Sequence, residues 1–175
     1  MTALFALVSA LLLSGTSSYA QGVNDAQIAA IVVEANQVAI DAGKLGNAIS
    51  TSADVKTFAK LMIHDHTSVY RSATLLVTKL KITPEENPTS QTLRAEGKKN
   101  LAQLEGLKAV AFDKAYIDHE VTYHQHVIDA IDKTLIPNAH NDELKALLVE
   151  VRAVFVAHLQ HAKDLQSTLN KKTAR

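Results

Sequence analysis

The sequence predicts an all-α protein built on four long helices, with one long connection between the second and third. Three observations carry this expectation. Apolar residues recur at alternating steps of three and four through four separate stretches, the spacing of one buried helical face. No stretch sustains the two-residue alternation of a half-buried strand. The chain has only 3 prolines, two of them in one short segment, and Ala, Leu, Val, Lys and Asp dominate it.

The first long helix runs from Asn24, whose side chain suits an N-cap, to Ile49. Ile28, Ile31, Ala35, Val38, Ala42, Leu45 and Ile49 form its stripe. "STSAD" then breaks the chain and offers Thr51 or Ser52 as the next cap, and the second helix continues to about Lys81. Its apolar side carries Val55, Phe58, Met62, Val69, Ala73, Leu76 and Leu80. "ITPEENPTSQ" holds two prolines and several capping residues and reads as loop. A shorter helix follows, about Ser90 to Leu107, carrying Leu93, Leu101 and Leu104. The third long helix spans about Ala111 to Leu135 and is expected to end in "IPNAHND". The fourth opens at Asn141 or Asp142 and continues to about Leu169. A four-helix bundle with a single long crossover, here holding a short extra helix, is the ferritin-like solution among others.

With 175 residues the chain holds one domain's worth of core, and 47% of it is apolar. Eighteen basic residues balance 18 acidic ones, which leaves no electrostatic footprint for nucleic acid or an anionic membrane. The N-terminal segment stands apart. A mostly apolar run from Ala3 to Leu13 is followed by small residues, with Ser18 and Ala20 spaced as a small-x-small cleavage site. Residues 1–20 are therefore expected to be a signal peptide and 21–175 a single helical domain with its core at about 25–169. No Lys or Arg precedes the apolar run, and the run is well short of the roughly 20 residues a membrane span needs. Export to the periplasm or medium, with no transmembrane segment in the mature chain, is the expectation. The absence of cysteine suits it and gives no site for lipid attachment.

Two His-x-His pairs, in "LMIHDHTSVY" and "VTYHQHVIDA", invite a metal ion. On a helix, however, residues i and i+2 differ by about 200° around the axis, so neither pair can chelate. Turning each helix by about 100° per residue sorts the histidines instead. His66 falls near the centre of the second helix's apolar arc, with Asp65 at its edge and His64 opposite. Glu120 and His124 share the apolar face of the third helix, with His119 and His126 at or beyond its border. His158 lies central on the fourth, with His161 at the margin, while His140 is in a loop. Glu34, Asn36 and Asp41 of the first helix sit off its stripe centre.

One inward histidine per helix remains: His66, His124 and His158, each near mid-helix. They read as a hydrogen-bonded polar layer that fixes helix register. The sharper reading, second to that one, is a zinc, copper or iron site completed by Asp65 or Glu120, and the third is a pH-responsive cluster. A carboxylate-bridged di-iron centre is not expected, because no Glu-x-x-His occurs; Glu120 and His124 have one residue too many between them. The chain also lacks a nucleophile elbow, a phosphate loop, a His-Glu-x-x-His zinc motif and a cysteine nucleophile, so no catalytic residues are assigned. A metalloenzyme or redox protein using the same histidines, or a structural interaction module, stays open beside a non-enzymatic role. Self-association is compatible with any of these.

"VKTFAKLMIHDHTSV", "AFDKAYIDHEVTYHQHVIDAI" and "VFVAHLQHAKDL" resemble the three signature segments of a bacterial family of exported, ferritin-like helical bundles, domain of unknown function 4142. The likeness covers about Asp25 to Gln166. It implies a periplasmic bundle, an envelope or stress-related setting, and motif residues at Asp65, His66, Phe112, Asp113, Tyr116, His124, Gln125 and His158. Pro137, the extra histidines at 64, 119, 126 and 161, and Glu120 are not carried by the resemblance.

Overall fold

A computed structural model describes residues 22–173; the expected signal peptide lies outside them. The described residues are all-helical, without strands. Helix α1 (Asp25–Ile49) pairs with α2 (Ala53–Lys79), and α3 (Pro88–Glu105) lies within the long connection that follows. Helix α4 (Ala109–Ala130) passes into a π-helical turn (Ile131–Leu135) and a last helical turn, α5 (Ile136–Asn138). Helix α6 (Asp142–Thr173) completes the chain.

The starts are set by capping chemistry. Asn24 accepts from the Gln27 amide at 2.9 Å while the Gln27 side chain accepts from the Asn24 amide at 3.2 Å, a reciprocal box at the head of α1. Asn87 and Ser90 build the same device for α3, with Pro88 at the first helical position, where its missing N–H costs nothing. Asn141 caps α6 by accepting from the amides of Glu143 and Leu144, both at 3.0 Å. The Asp25 carboxylate accepts from the backbone amides of His140 and Asn141, which ties the start of α6 to the start of α1.

Several boundaries differ from the sequence expectation. The third long helix does not stop at Leu135 but continues through Pro137 to Asn138. Pro137 has no N–H to return to the preceding turn; the π-helical turn lies immediately before it, so the irregular ladder and the missing donor coincide. Helix α3 starts two residues before Ser90, since Pro88 opens a helix more readily than it breaks one. Helix α6 extends to Thr173, where Lys171 and Lys172 favour the negative end of the helix dipole.

Helix α1 packs along α2, α4 along α6, and α2 also meets α6. Gly46 permits the approach of α1 to α4: a Cβ there would lie 2.7 Å from the Tyr116 ring. Two apolar clusters fill the interior. One gathers Ile28, Ala73, Val127, Phe155 and their neighbours, and the other Phe58, Met62, Tyr116, Ile117 and Ala162. The changeover between clusters falls at His66 on α2, and within about a turn of His124 on α4 and of His158 on α6. The histidines therefore form a polar layer between two dry cores.

Candidate metal centre

All three layer histidines are buried: His66 and His124 are 0% exposed and His158 3%. Each ring commits one nitrogen to an acceptor. His66 Nδ1 lies 2.9 Å from Asn36 Oδ1. The Asn36 amide nitrogen donates to the Val32 carbonyl at 2.8 Å, so its oxygen is the atom that faces His66 and must accept. His124 Nδ1 donates to the Glu120 backbone carbonyl at 2.8 Å. His158 Nε2 donates to Asp65 Oδ2 at 2.9 Å, and the other oxygen of that carboxylate is 2.8 Å from His64 Nδ1.

These bonds fix the tautomers. With both Nδ1 atoms protonated, His66 Nε2 and His124 Nε2 carry lone pairs, yet they face each other at 3.4 Å. Two lone pairs facing each other at that distance repel, and a shared cation would relieve the repulsion. His158 Nδ1, the remaining lone pair, is buried without a hydrogen-bond partner. One ring nitrogen from each histidine lies within 4.8 Å of those of the other two. Phe155 covers the group, its ring 4.9 Å from that of His66 and 5.2 Å from that of His124.

Electrostatics favour the neutral, ligating form. Burial pushes His66 well below the ordinary histidine range, helped by His124 and His158. Burial takes His124 down to about 3 against the opposing pull of the Glu120 carbonyl, and lowers His158 against the opposing pull of Asp65. The layer thus holds a proton poorly, whereas a metal ion would need only the lone pairs.

The fit to a metal can be judged from the one defined edge. A tetrahedral ion with metal–nitrogen bonds of ~2.0–2.1 Å places its ligands ~3.3 Å apart, close to the 3.4 Å between His66 and His124. Three imidazoles without a thiolate suit zinc, copper or iron.

The five residues singled out from the sequence fall in two groups. His66, His124 and His158 converge. Asp65 meets the far nitrogen of His158, and Glu120 sits behind His124, its Oε2 3.4 Å from Nδ1. Glu120 is 1% exposed and neither carboxyl oxygen has a hydrogen bond. Burial raises it to about 8, opposed only by the Tyr116 hydroxyl, which lies near but also lacks a hydrogen bond of ordinary geometry. Of the resemblance's other motif residues, Phe112 stacks on Tyr116, Asp113 accepts from the buried Ser50 hydroxyl, and Gln125 is exposed and paired with Asp129. Asn36, off the heptad stripe of α1, is fully buried and orients His66. Its neighbours Ala35 and Val32 are also buried, so the buried arc of α1 is wider than one heptad stripe; an asparagine beside such an arc was the available signal.

The class defined so far is an all-helical protein with three converging buried imidazoles. The chain belongs to the family described as domain of unknown function (DUF4142), which it matches over residues 13–165. Neither the curated proteins nor the solved structures compared gave a match. No helix among the described residues is long and apolar enough to cross a membrane.

Proposed function

We propose that this chain is an exported, ferritin-like four-helix bundle that binds one transition-metal ion, zinc, copper or iron, through His66 Nε2, His124 Nε2 and His158 Nδ1. One observation carries the proposal. Each imidazole has its second nitrogen held by a dedicated acceptor, while the nitrogens left over are lone pairs with no donor to receive. A purely register-setting layer would pair those nitrogens with one another, because buried polar groups are costly when unpaired. Asn36, the Glu120 carbonyl and Asp65 then act as the outer partners that orient ligating histidines.

Three neutral ligands leave room for a fourth, the arrangement of sites that exchange a water or substrate. Binding, storage or transfer of the ion is favoured over turnover, because the fully buried layer has no nucleophile or general base facing it. An envelope role follows from the expected cleavage after Ala20.

The test is metal analysis of the untagged mature chain after challenge with zinc, copper and iron, with His66→Ala and His158→Ala in parallel. One equivalent in wild type, absent from both variants, is the expected result. No retained metal under any challenge sinks the proposal. N-terminal sequencing after cell fractionation tests export separately: a chain that still begins at Met1 refutes cleavage.

A further inference from the structure

A second site lies beside α4; its inner end borders Asn36 and Phe155 but none of the three layer histidines. Helix α3 rests on α1 and barely touches α4. Gly97 is the reason for the close seat on α1, since a Cβ there would fall 2.9 Å from the Val38 side chain. The space left between α3 and α4 is a half-enclosed cleft in two adjoining parts, sharing the walls Leu93, Glu96, Tyr123 and His126. The inner part, of about 80 Å³, is apolar and lined by Ile31, Val127, Ile131 and Val151 among others. The outer part, of about 270 Å³, is polar and contains Asn100, His119, Gln103 and Thr122.

Two polar atoms in that outer part lack partners. Asn100 is 9% exposed, and its Nδ2 is buried without an acceptor. His119 stacks on Tyr123 at 5.7 Å, and its Nε2 is likewise buried and unpaired. Burial lowers this imidazole to about 4, so near neutrality the ring is uncharged and has a single N–H to place. An orphaned amide donor nine-tenths buried is expensive in a structure that otherwise pairs its buried polar groups. Both residues line the same cleft, and a small turn of each side chain would present its unpaired nitrogen to one incoming oxygen acceptor. Lys99 and Glu96 at the walls offset each other, so hydrogen bonding rather than net charge selects the head group.

We infer that the α3–α4 cleft binds a small amphipathic molecule, its apolar body between Ile31, Val127 and Ile131 and its carbonyl or carboxylate oxygen against Asn100 Nδ2 and His119. This site goes beyond the metal proposal and does not rest on it, because no ligating histidine lines the cleft.

Octanamide and octanoate are suitable probes, with the same body and a neutral or charged acceptor. Calorimetric titration of the untagged mature chain in the presence of a chelator separates the result from the metal site. The expectation is one site for at least one probe, with amide shifts in α3, α4 and the neighbouring turns of α1 and α6 that line the inner part. Asn100→Leu should weaken binding about tenfold, the scale of a lost hydrogen bond to a buried donor. His119→Phe, which keeps the stack on Tyr123, should weaken it similarly. Ala130→Leu, which fills the apolar end, should reduce binding of both probes together. Thermal melting of each variant confirms that it is folded. Absence of binding by both probes at millimolar concentration overturns the inference. So does binding that folded Asn100→Leu and His119→Phe chains retain at wild-type strength.

Discussion

Helix α4 carries two buried polar groups within two turns, and they are finished very differently. His124 has its Nδ1 donating to a carbonyl and its Nε2 facing His66 in a set where every outer nitrogen is assigned. Glu120, four residues earlier, is as deeply buried but has no hydrogen bond on either oxygen, and the Tyr116 hydroxyl beside it is equally unpaired. Both groups have perturbed protonation, and burial is the first cause in each. Only His124 brings a ring nitrogen to the other layer histidines. Burial alone shifts a titration; it takes acceptors on the far side of the ring to aim a lone pair at a common point.

The largest effect that sharpens this contrast is the loss of the layer's ligands. His66→Ala or His158→Ala should abolish the single metal equivalent, whereas Glu120→Gln should leave it within a few fold, as read by metal analysis. Next are the outer partners. Asp65→Ala frees His158 Nε2 and Asn36→Leu frees His66 Nδ1, and each should weaken binding by about 10–100-fold, measured by competition with a chelating dye.

The titrations give opposite signs. The buried histidines are neutral when folded and charge more readily when unfolded, with His124 moved from 6.5 to about 3 and His119 from 6.5 to about 4. Between those values the unfolded chain binds more protons, so the metal-free protein should lose stability steadily as pH falls from about 6.5. Glu120 runs the other way: its folded value is raised from 4.5 to about 8, so the folded chain holds the extra proton in that window. Its contribution is fully present below 4.5 and is lost as pH rises through about 8. Glu120→Gln should flatten the alkaline limb and leave the acid limb unchanged in urea unfolding from pH 5 to 9. If the alkaline limb persists in that variant, Glu120 is not its source.

The smallest effect belongs to His64. It is exposed and shares Asp65 with His158. An exposed ion pair of this kind is worth about 0–1 kcal/mol, so His64→Ala should change metal affinity by no more than about fivefold.

Much of this was legible beforehand because helical phase is a strong constraint. Turning α2, α4 and α6 at a fixed angle per residue sufficed to separate His66 from His64 and His124 from His126, and burial follows that division. Phase places a side chain on a face but not on a height or a rotamer. It could not tell that Asp65 reaches across to the fourth long helix while Glu120 stays behind its own histidine. It also assigned α1 a single stripe, and so missed Asn36, because a helix covered by α2, α3 and α4 buries more than one face. The run through Pro137 escaped for a related reason: proline forbids one hydrogen bond, not the continuation of a helix whose ladder has already loosened into a π turn.

The central claim is that three imidazoles and no carboxylate of this chain bind the ion. X-ray absorption at the zinc edge, on the untagged mature chain loaded with one equivalent, measures it directly. The account predicts three histidine nitrogens at ~2.0–2.1 Å, falling to two in His158→Ala if any zinc is retained. A shell of carboxylate oxygens, or a histidine count unchanged in that variant, would contradict it.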